Sequence, residues 1–92
     1  MVTVVLPAQL RELVGGRGTI ALDGGAGTLA STLLRLRERH PAVYRGICTE
    51  QGEIRPHVNV FVGREDVRWC GGLDAWVDEG SEVLVITSVS GG

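Results

Sequence analysis

Only one long segment of the chain has the spacing of an amphipathic helix, and runs of β-branched residues flank it on both sides. Over Leu29–Arg39, leucines recur three and four positions apart, and Thr28 is placed to cap the first turn. Four segments of alternating or clustered apolar residues predict strands, namely residues 1–6, 19–22, 57–62 and 83–87. A single helix of this kind must bury its apolar face against a sheet.

The remaining segments predict connections and minor elements. Residues 8–14 and 73–77 are each expected to form a helical turn, residues 42–56 a loop with one helical turn, and residues 67–69 a short strand. The order indicates an α+β fold of the β-grasp (ubiquitin-like) type, with one helix packed across a mixed four- to five-stranded sheet and the first and last strands side by side at its centre. Residues 1–87 are expected to form this domain and residues 88–92 a flexible tail.

Length and charge narrow the classes of function. A chain of 92 residues predicts one domain with a modest core, and a net charge of −2 without a basic stripe argues against a nucleic-acid partner. The N-terminus lacks the pattern of a signal peptide and no apolar run is long enough to cross a membrane, so a cytoplasmic protein with no membrane partner is expected. Cys48 and Cys70 are isolated and predict reduced thiols without a metal site.

Motifs of known catalytic and cofactor sites are missing from the sequence, which contains no GxSxG, Walker or HExxH pattern. No residue is therefore predicted to be catalytic, and no bound cofactor is expected. The chemistry is expected to be supplied by other proteins.

The two glycines at the end of the sequence, Gly91 and Gly92, follow the last predicted strand. Without Cβ atoms they can enter a narrow slot, so the α-carboxylate of Gly92 is the reactive group that such a tail would present. Ser90 and Val89 would help present it, and five residues span about 16–18 Å when fully extended. A carboxylate is a poor electrophile until its oxygen joins a good leaving group, so the tail predicts a partner that consumes ATP to adenylate Gly92.

Strand periodicity also predicts a partner-binding face. If Val83 and Val85 of the last strand face the helix, the side chains between and after them face the other way. The residues predicted on this outward face are Ile86, Leu84, Phe61, Val5 and Pro7. So much outward apolar surface indicates a docking site for another protein.

The whole chain resembles the MoaD/ThiS-type sulfur carriers, which are relatives of ubiquitin. Residues 8–15 are similar to the segment after the first strand in molybdopterin synthase small subunits, whereas residues 58–68, 71–73 and 89–92 look most like the CysO-type carriers of cysteine synthesis. The resemblance implies that a ubiquitin-activating-type adenylyltransferase/sulfurtransferase converts Gly92 to a thiocarboxylate.

That resemblance implies further partners. A sulfur-accepting synthase of the cysteine-synthase, thiosugar-synthase or thiazole-synthase kind would take the sulfur, and a metalloprotease would release cysteine from the tail in a CysO-type pathway. Three alternatives stay open: a molybdopterin synthase small subunit, a ubiquitin-like modifier joined to target lysines, and a plain interaction domain whose terminal glycines have no function.

Overall fold

The amphipathic segment and its flanking strands assemble as a β-grasp domain in the computed structural model, which describes residues 1–87. In chain order the elements are β1 (Val2–Val5), α1 (Ala8–Arg11), β2 (Thr19–Leu22), β3 (Gly27–Thr28), α2 (Leu29–Arg39), α3 (Pro41–Ile47), β4 (Val58–Val62), β5 (Glu65–Asp66), β6 (Trp76–Val77) and β7 (Glu82–Thr87). Short 3₁₀ helices cover Glu12–Val14, Val67–Trp69 and Gly72–Asp74.

The first and last strands lie next to each other, as the sequence predicts. The main sheet has five strands in the order β2-β1-β7-β4-β5, and only the β1–β7 pair within it is parallel. Strands β3 and β6 form a separate two-stranded sheet. The mixed sheet with α2 across it confirms the predicted fold class.

Helix α2 covers one face of the sheet because its apolar side chains lie on one side. Leu29, Leu33 and Leu36 are buried together with the inward residues of β1 and β7. The Thr28 side chain accepts a hydrogen bond from the Ser31 backbone N–H at 3.2 Å, which satisfies one of the free donors at the start of the helix. The predicted bounds and cap of this helix are confirmed.

The segment predicted as a loop over residues 42–56 contains more helix than expected. Helix α3 covers Pro41–Ile47, with proline in its first turn and buried Val43 and Ile47. No full helix is predicted here because Gly46 has a low helix propensity. In the structure Gly46 allows close packing, since a Cβ atom there would lie 2.5 Å from Leu10 Cδ2.

Two short predictions near the end of the domain are wrong in part. The predicted strand at residues 67–69 is a 3₁₀ helix, because the Asp66 side chain accepts a hydrogen bond from the Arg68 N–H at 2.9 Å and turns the chain. Residues 73–77 start in a 3₁₀ turn, but Trp76–Val77 is a strand paired with β3.

Within residues 1–87, no helix has the length and apolar character that crossing a membrane requires.

Candidate functional site

The outward face of the sheet carries the residues that strand periodicity places there. Val83 and Val85 are buried, whereas Leu84 is partly exposed and Ile86 is 42% exposed. Leu84 is flanked by its partners on both neighbouring strands, Val5 on β1 and Phe61 on β4.

Val5, Phe61 and Pro7 are all partly exposed, and Pro7 follows β1 at the start of the next turn. The predicted residues of β1, β4 and β7 thus share one apolar face, called the outward face below. That this face binds a partner stays a prediction.

A polar cluster that the sequence analysis missed borders the outward face. The Arg68 guanidinium donates hydrogen bonds to the Asn59 side-chain oxygen and, at 3.2 Å, to the Asp66 carboxylate. Asn59 lies opposite Ile86 in the β4–β7 pair. Hydrogen bonds from the side chain and then the backbone of Arg68 lower the pKa of Asp66 below its usual value. The hydrogen bonds to Asn59 and Asp66 hold the Arg68 side chain at the edge of the apolar surface.

The tail continues from the centre of the sheet. Thr87 ends β7 and lies opposite Val58, the first residue of β4. The residues predicted to carry and present the reactive group, Val89, Ser90, Gly91 and Gly92, lie outside the described residues. Ile86 of the outward face is two positions before residue 88, where the predicted tail begins.

The Cys48 thiol is not prepared for sulfur chemistry. Cys48 is buried, and burial raises the pKa of its thiol although hydrogen bonding to Tyr44 and the Arg55 charge act in the opposite direction. A neutral, buried thiol is a poor nucleophile. Cys70 is partly buried, and both cysteines are free. In the described part of the chain, no group of three or more His, Cys, Asp or Glu side chains is arranged to hold a metal ion.

Comparison with known proteins gives matches along the length of the chain. The ThiS family matches residues 4–92. The sulfur carrier protein CysO of Mycobacterium tuberculosis is 30% identical over 93 residues, which cover 99% of this chain and 98% of the relative. Small archaeal modifier protein 3 of Haloferax volcanii is 31% identical over 85 residues, which cover 92% of this chain and 91% of the relative.

Solved structures agree with this assignment. A chain in the crystal structure of the BexX/CysO complex of Amycolatopsis orientalis superposes with a TM-score of 0.86 at 32% identity, and the match covers 100% of both chains. The sequence and fold therefore show that this chain belongs to the ThiS family of ubiquitin-like sulfur carriers.

Proposed function

We propose that this protein carries sulfur as a thiocarboxylate formed at the α-carboxyl group of Gly92. The observation that supports the proposal best is that the family match extends through residue 92, the glycine that would end a tail continuing from the central strand β7. The relatives named as sulfur carriers match over nearly their whole length. The relatives are small carriers, which agrees with a role as co-substrate and not as catalyst.

The chemistry requires a separate activating enzyme. A carboxylate oxygen of Gly92 attacks the α-phosphate of ATP, and pyrophosphate leaves. A persulfide on the activating enzyme then displaces AMP from the acyl carbon, and a second thiol cleaves the S–S bond to leave the thiocarboxylate. The product sulfur is a softer nucleophile than the original oxygen and stays attached to the protein.

Delivery requires a second enzyme in the cytoplasm. We propose an acceptor synthase of the cysteine-synthase, thiosugar-synthase or thiazole-synthase kind, with a metalloprotease if cysteine is built on the tail. The solved complex of a CysO chain with BexX supports docking of a carrier of this fold with another protein. The outward face of Val5, Phe61, Leu84 and Ile86 is the proposed docking surface on this chain.

Protein modification is a second candidate function because one relative, 31% identical, is named a modifier protein. The adenylated Gly92 would then form an isopeptide bond with a lysine of a target protein. The chain itself contains no lysine, so it could not form chains of copies through lysine side chains. Lysates from cells that express a tagged form would show higher-mass conjugates for a modifier and only the free protein for a carrier.

The proposal is tested by intact mass measurement after incubation with an activating enzyme, ATP and a sulfur donor. We expect replacement of one oxygen by one sulfur, located in the C-terminal peptide. A matched protein with one alanine added after Gly92 should fold normally but stay unmodified, because its carboxylate is displaced from the phosphate of ATP. Sulfur found on Cys48 or Cys70, or full delivery by the uncleaved extended form, would contradict the proposal.

A further inference from the structure

A second feature of the domain lies on the helical side, away from the outward face. A cavity of about 250 Å³, open to solvent, is lined by the end of α2, by α3 and by the loop before β4. The side chains that give it chemical character are Arg37, Tyr44, Arg45, Cys48, Glu50 and Arg55. The lining therefore includes three arginines and one glutamate, in a protein whose overall net charge is −2.

Two of the arginines that line this cavity are held in place by contacts that involve no carboxylate. Arg37 lies over the Tyr44 ring, 5.8 Å from its centre, and Arg55 Nε donates a hydrogen bond to the Arg45 carbonyl oxygen at 2.8 Å. The ion pairs formed within residues 1–87 are Met1–Glu79, Arg39–Asp23 and Arg68–Asp66, and none of them includes an arginine of the cavity. Among the residues that line the cavity, Glu50 is the one carboxylate beside the three arginines.

The remaining polar groups of the cavity add donors and no negative charge at neutral pH. Burial is the main cause that raises the pKa of both Tyr44 and Cys48. The phenol and the thiol therefore stay protonated. An anion that enters the cavity meets guanidinium groups and neutral O–H and S–H groups.

The position of the cavity connects it with the tail. The Val58 N–H donates a hydrogen bond to the Arg55 carbonyl oxygen at 3.0 Å, and Val58 lies opposite Thr87 at the end of β7. Arg55 and the point where the tail begins are therefore at the same end of the sheet. A protein that binds the start of the tail would approach this end of the domain.

We propose that this cavity binds carboxylate side chains of an acidic segment on the protein that receives the tail. This inference rests on the proposed carrier function for the identity of the partner. Guanidinium groups bind carboxylates through paired hydrogen bonds, and three of them on separate elements suit spaced carboxylates better than one compact ion. Because Arg37 and Arg45 are exposed, the contribution should be modest and should weaken with salt.

The binding chemistry can be tested without any partner enzyme. An acetylated, amidated tetraglutamate peptide is titrated into ¹⁵N-labelled protein at low salt, and amide shifts are followed by two-dimensional NMR. We expect saturable shifts confined to the amides around the cavity. Arg45→Gln should weaken binding about two- to fivefold, and the double variant R37Q/R45Q about tenfold. Arg64→Gln is the matched control, because Arg64 lies at the opposite end of β4 and its loss changes the net charge equally.

Inorganic phosphate provides the second arm of the titration. Phosphate that binds as tightly as the peptide at the same residues would show a free-anion site and overturn the docking proposal. Scattered shifts, or equal weakening by Arg64→Gln, would overturn it as well. Thermal unfolding of each variant shows whether a lost shift reflects an altered fold. Where a variant does not fold, the salt dependence of peptide binding by folded Arg37→Gln decides whether the cavity binds carboxylates.

A separate measurement tests whether the cavity binds the protein that receives the tail. With the enzyme that acts on Gly92, R37Q/R45Q should raise KM about tenfold and leave kcat unchanged, because the two arginines are proposed to bind the partner and take no part in the reaction at the carboxyl group. An unchanged KM would show that the cavity does not bind this enzyme. If Gly92 never acquires sulfur, the carrier proposal fails, whereas the peptide titration still decides whether the cavity binds carboxylates.

Discussion

Val4 of β1 lies directly opposite Val83 of β7 in the parallel pair at the centre of the sheet, and both side chains are fully buried. The two strands come from opposite ends of the described chain, so all its other elements lie between them in sequence. Their pairing closes the domain beneath α2. The core should therefore unfold as one unit, and single core substitutions should be measurable in a simple unfolding experiment.

Two leucines on α2 provide a matched test of the packing. Leu36 is completely buried and Leu34 is 51% exposed. We expect Leu36→Ala to lower the free energy of unfolding by about 2–5 kcal/mol, because it removes buried methyl groups and leaves a cavity. Leu34→Ala should change it by less than about 0.5 kcal/mol. Urea denaturation measures both, and similar losses for the two variants would show that the helix face is assigned wrongly.

The cap of α2 should contribute a smaller, separate amount. Thr28→Ala removes the oxygen that accepts from the Ser31 N–H and should lower the free energy of unfolding by about 0.5–2 kcal/mol. Thr28→Ser keeps the accepting oxygen and serves as the control. If both variants lose the same stability, the threonine acts through its methyl group or its β3 pairing and not as a cap.

The outward face should matter for transfer and little for folding. Ile86→Asp places a charge on a side chain that is already 42% exposed, so the free energy of unfolding should change by less than about 1 kcal/mol. Conversion of Gly92 by the activating enzyme should fall about tenfold in kcat/KM if this face docks. Leu13→Asp is the control, because Leu13 is 50% exposed and lies in the 3₁₀ helix Glu12–Val14, not on the sheet. Equal conversion by both variants would exclude docking through Ile86.

Cys48 should make stability depend on alkaline pH. Its pKa is raised in the folded domain by burial, so the unfolded chain releases the thiol proton first, near pH 8.5, at about the ordinary pKa. The stabilising contribution is complete below that pH and is lost as the pH rises toward the folded pKa. Denaturation at a series of pH values should show this decline in the natural protein and a smaller one in Cys48→Ala, while Tyr44 contributes in both. Identical pH profiles would contradict the assignment.

Strand and helix positions were predictable where one pattern dominates. Leucines at helical spacing predict α2, and alternating valines predict β1, β4 and β7, because a half-buried element must keep its apolar side chains on one side. The same alternation separates buried Val83 and Val85 from exposed Ile86. The terminal glycines were visible only as sequence, since they lie outside the described residues.

Elements fixed by contacts between distant residues were not predictable. Helix α3 tolerates Gly46 because Leu10 packs against it, and β6 exists because Trp76 and Val77 meet β3 across the start of α2. Neither contact leaves a periodic trace in the local sequence.

The sequence by itself determined the fold class, the main helix, the inward and outward sides of the central strands and the glycine ending, since each depends on residue types close together in the chain. Only the tertiary structure decided that Arg68 would border the outward face and that Arg37, Arg45 and Arg55 would surround one cavity beside the start of the tail. Charged side chains at irregular spacing carry no periodic signal, and their meeting depends on how separate elements pack against one another.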